Sequence, residues 1–157
     1  MKLTMKPMSL HNFADELNEI MPVLIREFSR RNSEELYKGK ITLPQFLVMG
    51  FINGRGQAKM TDAARFMSVS TAAMTGIVNR MVRDGLVARL YDLKDRRVIN
   101  IKLTPKGTAL VKKIKEQRRA AIIKVFGMIS EKERGDYLKI ITRIHSILTN
   151  DKEFTGE

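Results

Sequence analysis

Between Gly85 and Gly107 the chain sets out a layout that few folds accommodate. Gly85-Leu86-Val87-Ala88-Arg89-Leu90-Tyr91 and Ile99-Asn100-Ile101-Lys102-Leu103 hold two short β-strands. Asp92-Leu93-Lys94-Asp95-Arg96-Arg97 joins them as a charged loop with two adjacent arginines beside an aspartate. Upstream, Ser70 to Asp84 is a helical segment rich in small polar residues. Downstream, Thr104-Pro105 opens another helix. A small-residue helix followed by a basic hairpin is the layout of a winged helix-turn-helix. Such a helix can enter a DNA major groove, and an arginine-tipped hairpin can reach the minor groove beside it.

The charge is concentrated on the same stretch. The chain has 157 residues, 43% of them hydrophobic, which is enough for one cored domain or two small lobes. Its net charge is +12. Residues 1–54 carry 7 basic and 6 acidic side chains, residues 55–119 carry 16 and 5, and residues 120–157 carry 6 and 6. Almost the whole excess therefore lies on the hairpin and its flanks. A merely solubilising surface would spread it. This concentration points to a polyanion, and to nucleic acid over an anionic membrane, because no terminal helix is basic on one face. There is no cysteine, which excludes thiol switches and thiolate metal sites within this chain. No apolar run has the length of a membrane span, and Met1-Lys2-Leu3-Thr4-Met5-Lys6 lacks the apolar core of a signal peptide. The expected location is cytoplasmic, with no membrane partner.

Apolar spacing and turn chemistry predict the remaining elements. Ser9 caps a helix to about Arg31, with Leu10, Phe13, Leu17, Ile20, Met21, Leu24, Ile25 and Phe28 on one face. Pro22 inside it predicts a kink near Asn18. Thr42-Leu43-Pro44 opens a second helix, apolar nearly all round from Phe46 to Ile52 and therefore expected to be buried; Asn53-Gly54-Arg55-Gly56 ends it. Thr61 is expected to cap a short helix. A tight Ser68-Val69-Ser70 connection leads to the next helix, which stops at Gly85. The helix from Pro105 is expected to reach about Met128. Ser130-Glu131-Lys132-Glu133 is a capping box that opens the last helix.

On the helix after Ser70, Met74, Ile77, Val78 and Met81 fall at core spacing. The opposite side then shows Ser70, Thr71, Ala72, Thr75, Gly76 and Asn79. Small residues let the backbone approach base edges, hydroxyls reach bases or phosphates, alanine can touch a thymine methyl, and Asn79 can read adenine. Arg80 and Arg83 can hold phosphates or structural carboxylates. In the hairpin, Asp95 can pair with and aim a neighbouring arginine. Arg89, Lys94 and Lys102 are candidate phosphate contacts.

The motif from Gly85-Leu86-Val87 through Asp92-Leu93-Lys94-Asp95-Arg96-Arg97 to Leu103-Thr104-Pro105-Lys106-Gly107 closely resembles the MarR family of bacterial transcription regulators. The resemblance extends over nearly the whole chain. One departure is Leu93, where the family usually has proline. The fold class expected is mainly α with a small β-hairpin wing: a winged helix-turn-helix lobe at 42–104, dimerisation helices at 9–31 and 105–150, and flexible tails at 1–8 and 151–157. The resemblance implies a minor-groove arginine at Arg97, with Arg96 a close second. It implies a homodimer interlocked through the terminal helices, which fits their large apolar stripes. It also implies a small aromatic or phenolic effector near His11, Asn12, Met21, Phe46 and Arg55.

The function expected is a sequence-specific regulator of transcription on double-stranded DNA, a repressor on a pseudo-palindromic operator, released by that effector. The alternative is a winged-helix module that binds protein or acts architecturally on DNA without an effector. The residues suggest no enzyme, metal or cofactor: there is no glycine-rich phosphate loop, no nucleophile elbow and no histidine–carboxylate cluster, and His11 and His145 are the only histidines.

Overall fold

A computed structural model of the chain describes residues 8–32, 41–91 and 98–150. The described elements are α1 (Leu10–Asn32), α2 (Leu43–Arg55), β1 (Gln57–Lys59), α3 (Met60–Phe66), α4 (Thr71–Arg83), β2 (Val87–Tyr91), β3 (Ile99–Leu103), α5 (Pro105–Phe126) and α6 (Glu131–Asn150). The chain is mainly α with a small antiparallel sheet, as expected. It divides into two compact units between Arg118 and Arg119.

The first unit holds the core. Its fully enclosed side chains include Met49 and Ile52 of α2, Met74, Val78 and Met81 of α4, Ile101 of β3 and Ile114 of α5. The 3.6-residue stripe read on α4 is therefore the inward face, with Ile77 at its edge. Val111 and Ile114 bring the first turns of α5 into the same core. The α2 helix starts at a reciprocal cap. Thr42 N–H donates to Gln45 Oε1 at 2.8 Å while the Thr42 hydroxyl accepts from Gln45 N–H, so both orphan donors are met inside the fold. This helix is not buried all round: Leu43 and Leu47 face outward, whereas Phe46, Val48, Met49 and Ile52 face in.

The sheet has one strand more than the hairpin expected. β1 pairs antiparallel with β3, giving the order β1-β3-β2. Gln57, Ala58 and Lys59 lie opposite Lys102, Ile101 and Asn100. Ala58 and Ile101 both point into the core. This strand also corrects the expected cap at Thr61. β1 delivers an extended Lys59 directly into the helix, which begins at Met60 with no side-chain cap bond.

α1 runs unbroken from Leu10 to Asn32 with Pro22 inside it. Ser9 caps it, its Oγ accepting from Asn12 N–H at 3.2 Å. Its apolar stripe stands exposed, including Phe13, Leu17, Ile20 and Leu24. In the second unit α6 likewise buries no residue of its own, and Ile141, Ile144, Ile147 and Leu148 are exposed. The capping box at Ser130 forms as read: Ser130 N–H and Oγ–H both donate to the Glu133 carboxylate, at 2.8 and 2.6 Å. These two bonds hold the Glu133 carboxyl below its ordinary value. Upstream of that cap, the Arg134 guanidinium donates to the carbonyls of Phe126 and Ile129, and the Phe126 and Tyr137 rings lie 5.2 Å apart.

Gly107 is the tightest backbone approach in the first unit. A Cβ added there would stand 2.1 Å from the carbonyl oxygen of Leu86 and 3.0 Å from its carbon. Backbone cannot swing aside as a flexible side chain can. Gly107→Ala is expected to lower stability by about 1–3 kcal/mol, the cost of overpacking. Gly50→Ala, whose Cβ meets nothing within 4 Å inside α2, is expected to be neutral or to raise stability by about 0.5–1 kcal/mol. Urea midpoints of the two variants check both expectations. Equal midpoints would contradict the packing described.

Candidate nucleic-acid interface

The site begins at the turn between α3 and α4. After Phe66, Ser68 N–H donates to the Arg65 carbonyl and Val69 N–H to the Ala64 carbonyl, both at 3.0 Å. Ser68 takes φ of 51°, the left-handed conformation that ends a helix and reverses the chain. That position usually holds glycine, so the sequence gives no glycine signal for the stop. Ser70 then caps α4, its Oγ accepting from Ala73 N–H at 3.1 Å. The two short helices are thus joined by Met67–Ser70, the tight connection expected.

α4 turns its small polar side outward. Ser70, Thr71, Ala72 and Asn79 are exposed, and Thr75 and Gly76 are half-buried. The Thr75 hydroxyl donates back to the Thr71 carbonyl at 2.8 Å, so the side that it turns away from the helix is its methyl and its remaining lone pair. Arg80 is exposed, and the Arg83 guanidinium lies 3.7 Å from the Asp84 carboxylate.

The C-terminus of α4 is tied to the N-terminus of α5. Gly85 has φ of 70°; its N–H donates to the Val82 carbonyl, and Leu86 N–H donates to the Met81 carbonyl at 2.8 Å. This is the pair of bonds that closes a helix on glycine, with Leu86 and Met81 packed together in the core. The next carbonyls are taken by the downstream motif. The Thr104 hydroxyl donates to Gly85 O at 2.7 Å and accepts from Gly107 N–H at 3.0 Å. Thr104 N–H donates to Leu86 O at 3.1 Å, and Lys106 Nζ donates to Asp84 O at 2.8 Å. Each residue of Thr104-Pro105-Lys106-Gly107 therefore has a physical task, with Pro105 opening the helix at its first position.

β2 and β3 form the base of the hairpin, in register from Val87 opposite Leu103 to Tyr91 opposite Ile99. Arg89 lies opposite Ile101 and shares its face of the sheet; Lys102 lies opposite Ala88, on the other face, and is exposed. The Arg89 guanidinium reaches α4 and donates from its Nη2 to Asn79 Oδ1. From sequence the two residues have separate expected roles, Asn79 on a base and Arg89 on a phosphate. Ten residues separate them, and no local spacing rule links a helix face to a strand at that distance. Lys94, Asp95, Arg96 and Arg97 lie outside the described residues.

Of the residues implied for an effector, His11, Asn12 and Met21 are exposed on α1. Phe46 is buried in the core, with the Arg118 guanidinium 5.4 Å from its ring centre. Arg55 lies 3.9 Å over Phe51, whose other neighbour is the stacked ring of Phe66. Among the described residues, no cluster of three or more His, Asp or Glu side chains could hold a metal ion. No described helix is long and apolar enough to cross a membrane.

Gly76 offers a way to separate folding from surface contact. A Cβ there meets nothing within 4 Å, on the outward side of α4. Gly76→Ala is expected to stabilise the fold by about 0.5–1 kcal/mol through helix propensity. The same methyl is expected to weaken duplex binding severalfold by holding the helix off the bases. Thermal melting and a binding titration on the same sample check the two signs. Unchanged affinity would remove this face from the interface.

Comparison with known proteins agrees with this geometry. The MarR family model matches residues 41–99, from just before α2 to the first residue of β3. The HTH-type transcriptional repressor MdtR of Bacillus subtilis is 24% identical over 133 residues, covering 85% of this chain and 86% of the relative. The repressor YetL of the same organism is 26% identical over 134 residues, 85% of this chain and 75% of the relative. Among solved structures, a MarR family protein from Bacillus stearothermophilus superposes with a TM-score of 0.76 at 25% identity, covering 90% of this chain and 99% of the other. A mutant MarR from E. coli complexed with operator DNA shares the fold with a TM-score of 0.67 at 22% identity, over 87% of this chain and 99% of the other. Through residues 41–99 the chain matches the MarR family model, and over most of its length it is similar to HTH-type transcriptional repressors and shares the fold of a solved MarR family protein.

Proposed function

We propose that this protein is a transcriptional repressor that binds a pseudo-palindromic operator as a homodimer. The observation that carries the reading is the outward face of α4. It is capped by Ser70, built of small polar residues, and set in the segment that holds nearly all the excess positive charge. Relatives named as repressors and a solved relative complexed with operator DNA support the same reading. In it, α4 lies in the major groove, Thr75 and Asn79 face base edges, and Lys102 meets a phosphate. The wing tip reaches the adjacent minor groove through Arg97 or Arg96.

The exposed stripes of α1 and α6 support the dimer. Side chains such as Phe13, Leu17, Ile141 and Leu148 are 40–49% exposed in the single chain. Such stripes are covered by self-complementary packing in a two-fold dimer. The two α4 helices then address half-sites roughly one helical turn apart, about 34 Å. Release by a small aromatic or phenolic acid completes the reading, and it rests on the family alone. A simple phenolic acid that lowers operator affinity and raises the melting temperature supports that part; a chemically varied set of such acids with neither effect removes it.

Duplex binding is expected to fall linearly with the logarithm of salt concentration, because each neutralised phosphate releases counterions. Lys102→Ala is expected to weaken all sequences alike and to lower the slope by about one. A flat salt dependence of the wild type contradicts DNA binding. At micromolar concentration the wild type is expected to sediment as a dimer, and Leu148→Asp to shift toward monomer, since burying an unpaired charge costs several kcal/mol. A monomeric wild type overturns the dimer.

A further inference from the structure

The bond between Arg89 and Asn79 bears on which bases the protein selects. A guanidinium has only donors, so the Asn79 atom facing Arg89 Nη2 is necessarily the amide oxygen. The amide orientation is therefore fixed by chemistry. Asn79 itself is exposed, at the last turns of α4. With Oδ1 held toward β2 by one of its two lone pairs, the amide NH2 is the group turned toward a partner.

Arg89 is well placed to hold it. The residue shares the sheet face of Val87 and Ile101, both buried, and is itself only partly exposed. Its Nε is closed off from solvent and has no hydrogen-bond partner among the described residues. Nε is thus inaccessible to a phosphate, and Nη2 gives one of its N–H bonds to Asn79.

We propose that Arg89 is a positioning residue: it holds Asn79 Oδ1, so that Asn79 presents its NH2 to the major groove and selects a keto base, guanine or thymine, over adenine or cytosine. This rests on the DNA-binding reading above. An unrestrained asparagine reads adenine with two bonds, donating to N7 and accepting from the N6 amino group. With its oxygen turned toward Arg89, Asn79 keeps at adenine only the single bond to N7 and loses the one from the N6 amino group. Guanine offers O6 and N7, and thymine offers O4, all acceptors. Cytosine presents a donor against a donor. Every base pair has one keto and one amino base, so the contact distinguishes the two orientations of a pair.

The test is a panel of operator duplexes in which each half-site position is varied through the four bases. It is run on the full-length wild type, Arg89→Ala, Asn79→Ala and Asn79→Asp. The wild type is expected to favour guanine or thymine at one position by about 5- to 100-fold, the range of a good base contact. Asn79→Ala is expected to level that position alone. Arg89→Ala is expected to move the preference there to adenine. If Arg89→Ala does not fold, Asn79→Asp carries the test. Its exposed carboxylate still accepts from Arg89 but has no donor, so the preference is expected to turn to an amino base. A uniform loss of affinity in Arg89→Ala with the keto preference kept would make Arg89 a phosphate contact and overturn the proposal. So would a keto preference that survives in Asn79→Asp. A wild type that binds all duplexes alike would instead contradict sequence-specific regulation itself, and this proposal with it.

Discussion

The joint between the end of α4 and the start of α5 determines how the rest of the lobe is arranged. A helix C-terminus leaves carbonyls without donors, and such groups cost free energy when they are enclosed. Here Gly85 and Leu86 N–H groups close the last turn, Thr104 and Lys106 take the carbonyls of Gly85 and Asp84, and Thr104 N–H takes that of Leu86. Thr104 also caps α5 through Gly107 N–H. One threonine therefore ends one helix region and begins another. Gly107 is required because the two backbones meet there with no room for a side chain.

This joint makes α4 and the base of the hairpin one mechanical piece. β2 departs directly from the closed end of α4, and β3 returns to the same point, where it runs into Thr104. Met81, Leu86, Val87 and Ile101 fill the space between them. α4 and the strands β2 and β3 are thereby packed on one core. An element held in place before contact loses less affinity to ordering than one that must be ordered on binding. The Arg89–Asn79 bond adds a polar tie across the same piece.

Much of this was legible in the sequence because its causes are local. Ser70, Gly85 and the Ser130–Glu133 box act within four residues of themselves, and the Met74–Val78–Met81 stripe follows helical period. What was not legible depends on partners far along the chain. β1 has three residues and a single inward side chain, Ala58, too few for alternation to register; it exists because β3, some forty residues later, supplies its ladder. The helix start at Met60, ahead of the cap expected at Thr61, follows from that strand. Leu43 and Leu47 look like core by composition, and only the position of the neighbouring elements turns them outward. Ser68 stops a helix with no glycine to announce it. The Thr42–Gln45 box had a readable signal, threonine followed three residues later by glutamine, that the apolar run behind it obscured. The charge asymmetry could be read at once, because net charge needs no geometry.

The central claim is that the fixed face of α4, repeated by a two-fold axis, reads a defined DNA sequence. Selection of bound fragments from random duplex DNA by the full-length protein tests it most directly. The account predicts enrichment of an inverted repeat whose half-site centres lie about one helical turn, roughly 34 Å, apart. Retention of fragments at low salt with no enriched sequence, or an enriched single half-site with no symmetry mate, would contradict it.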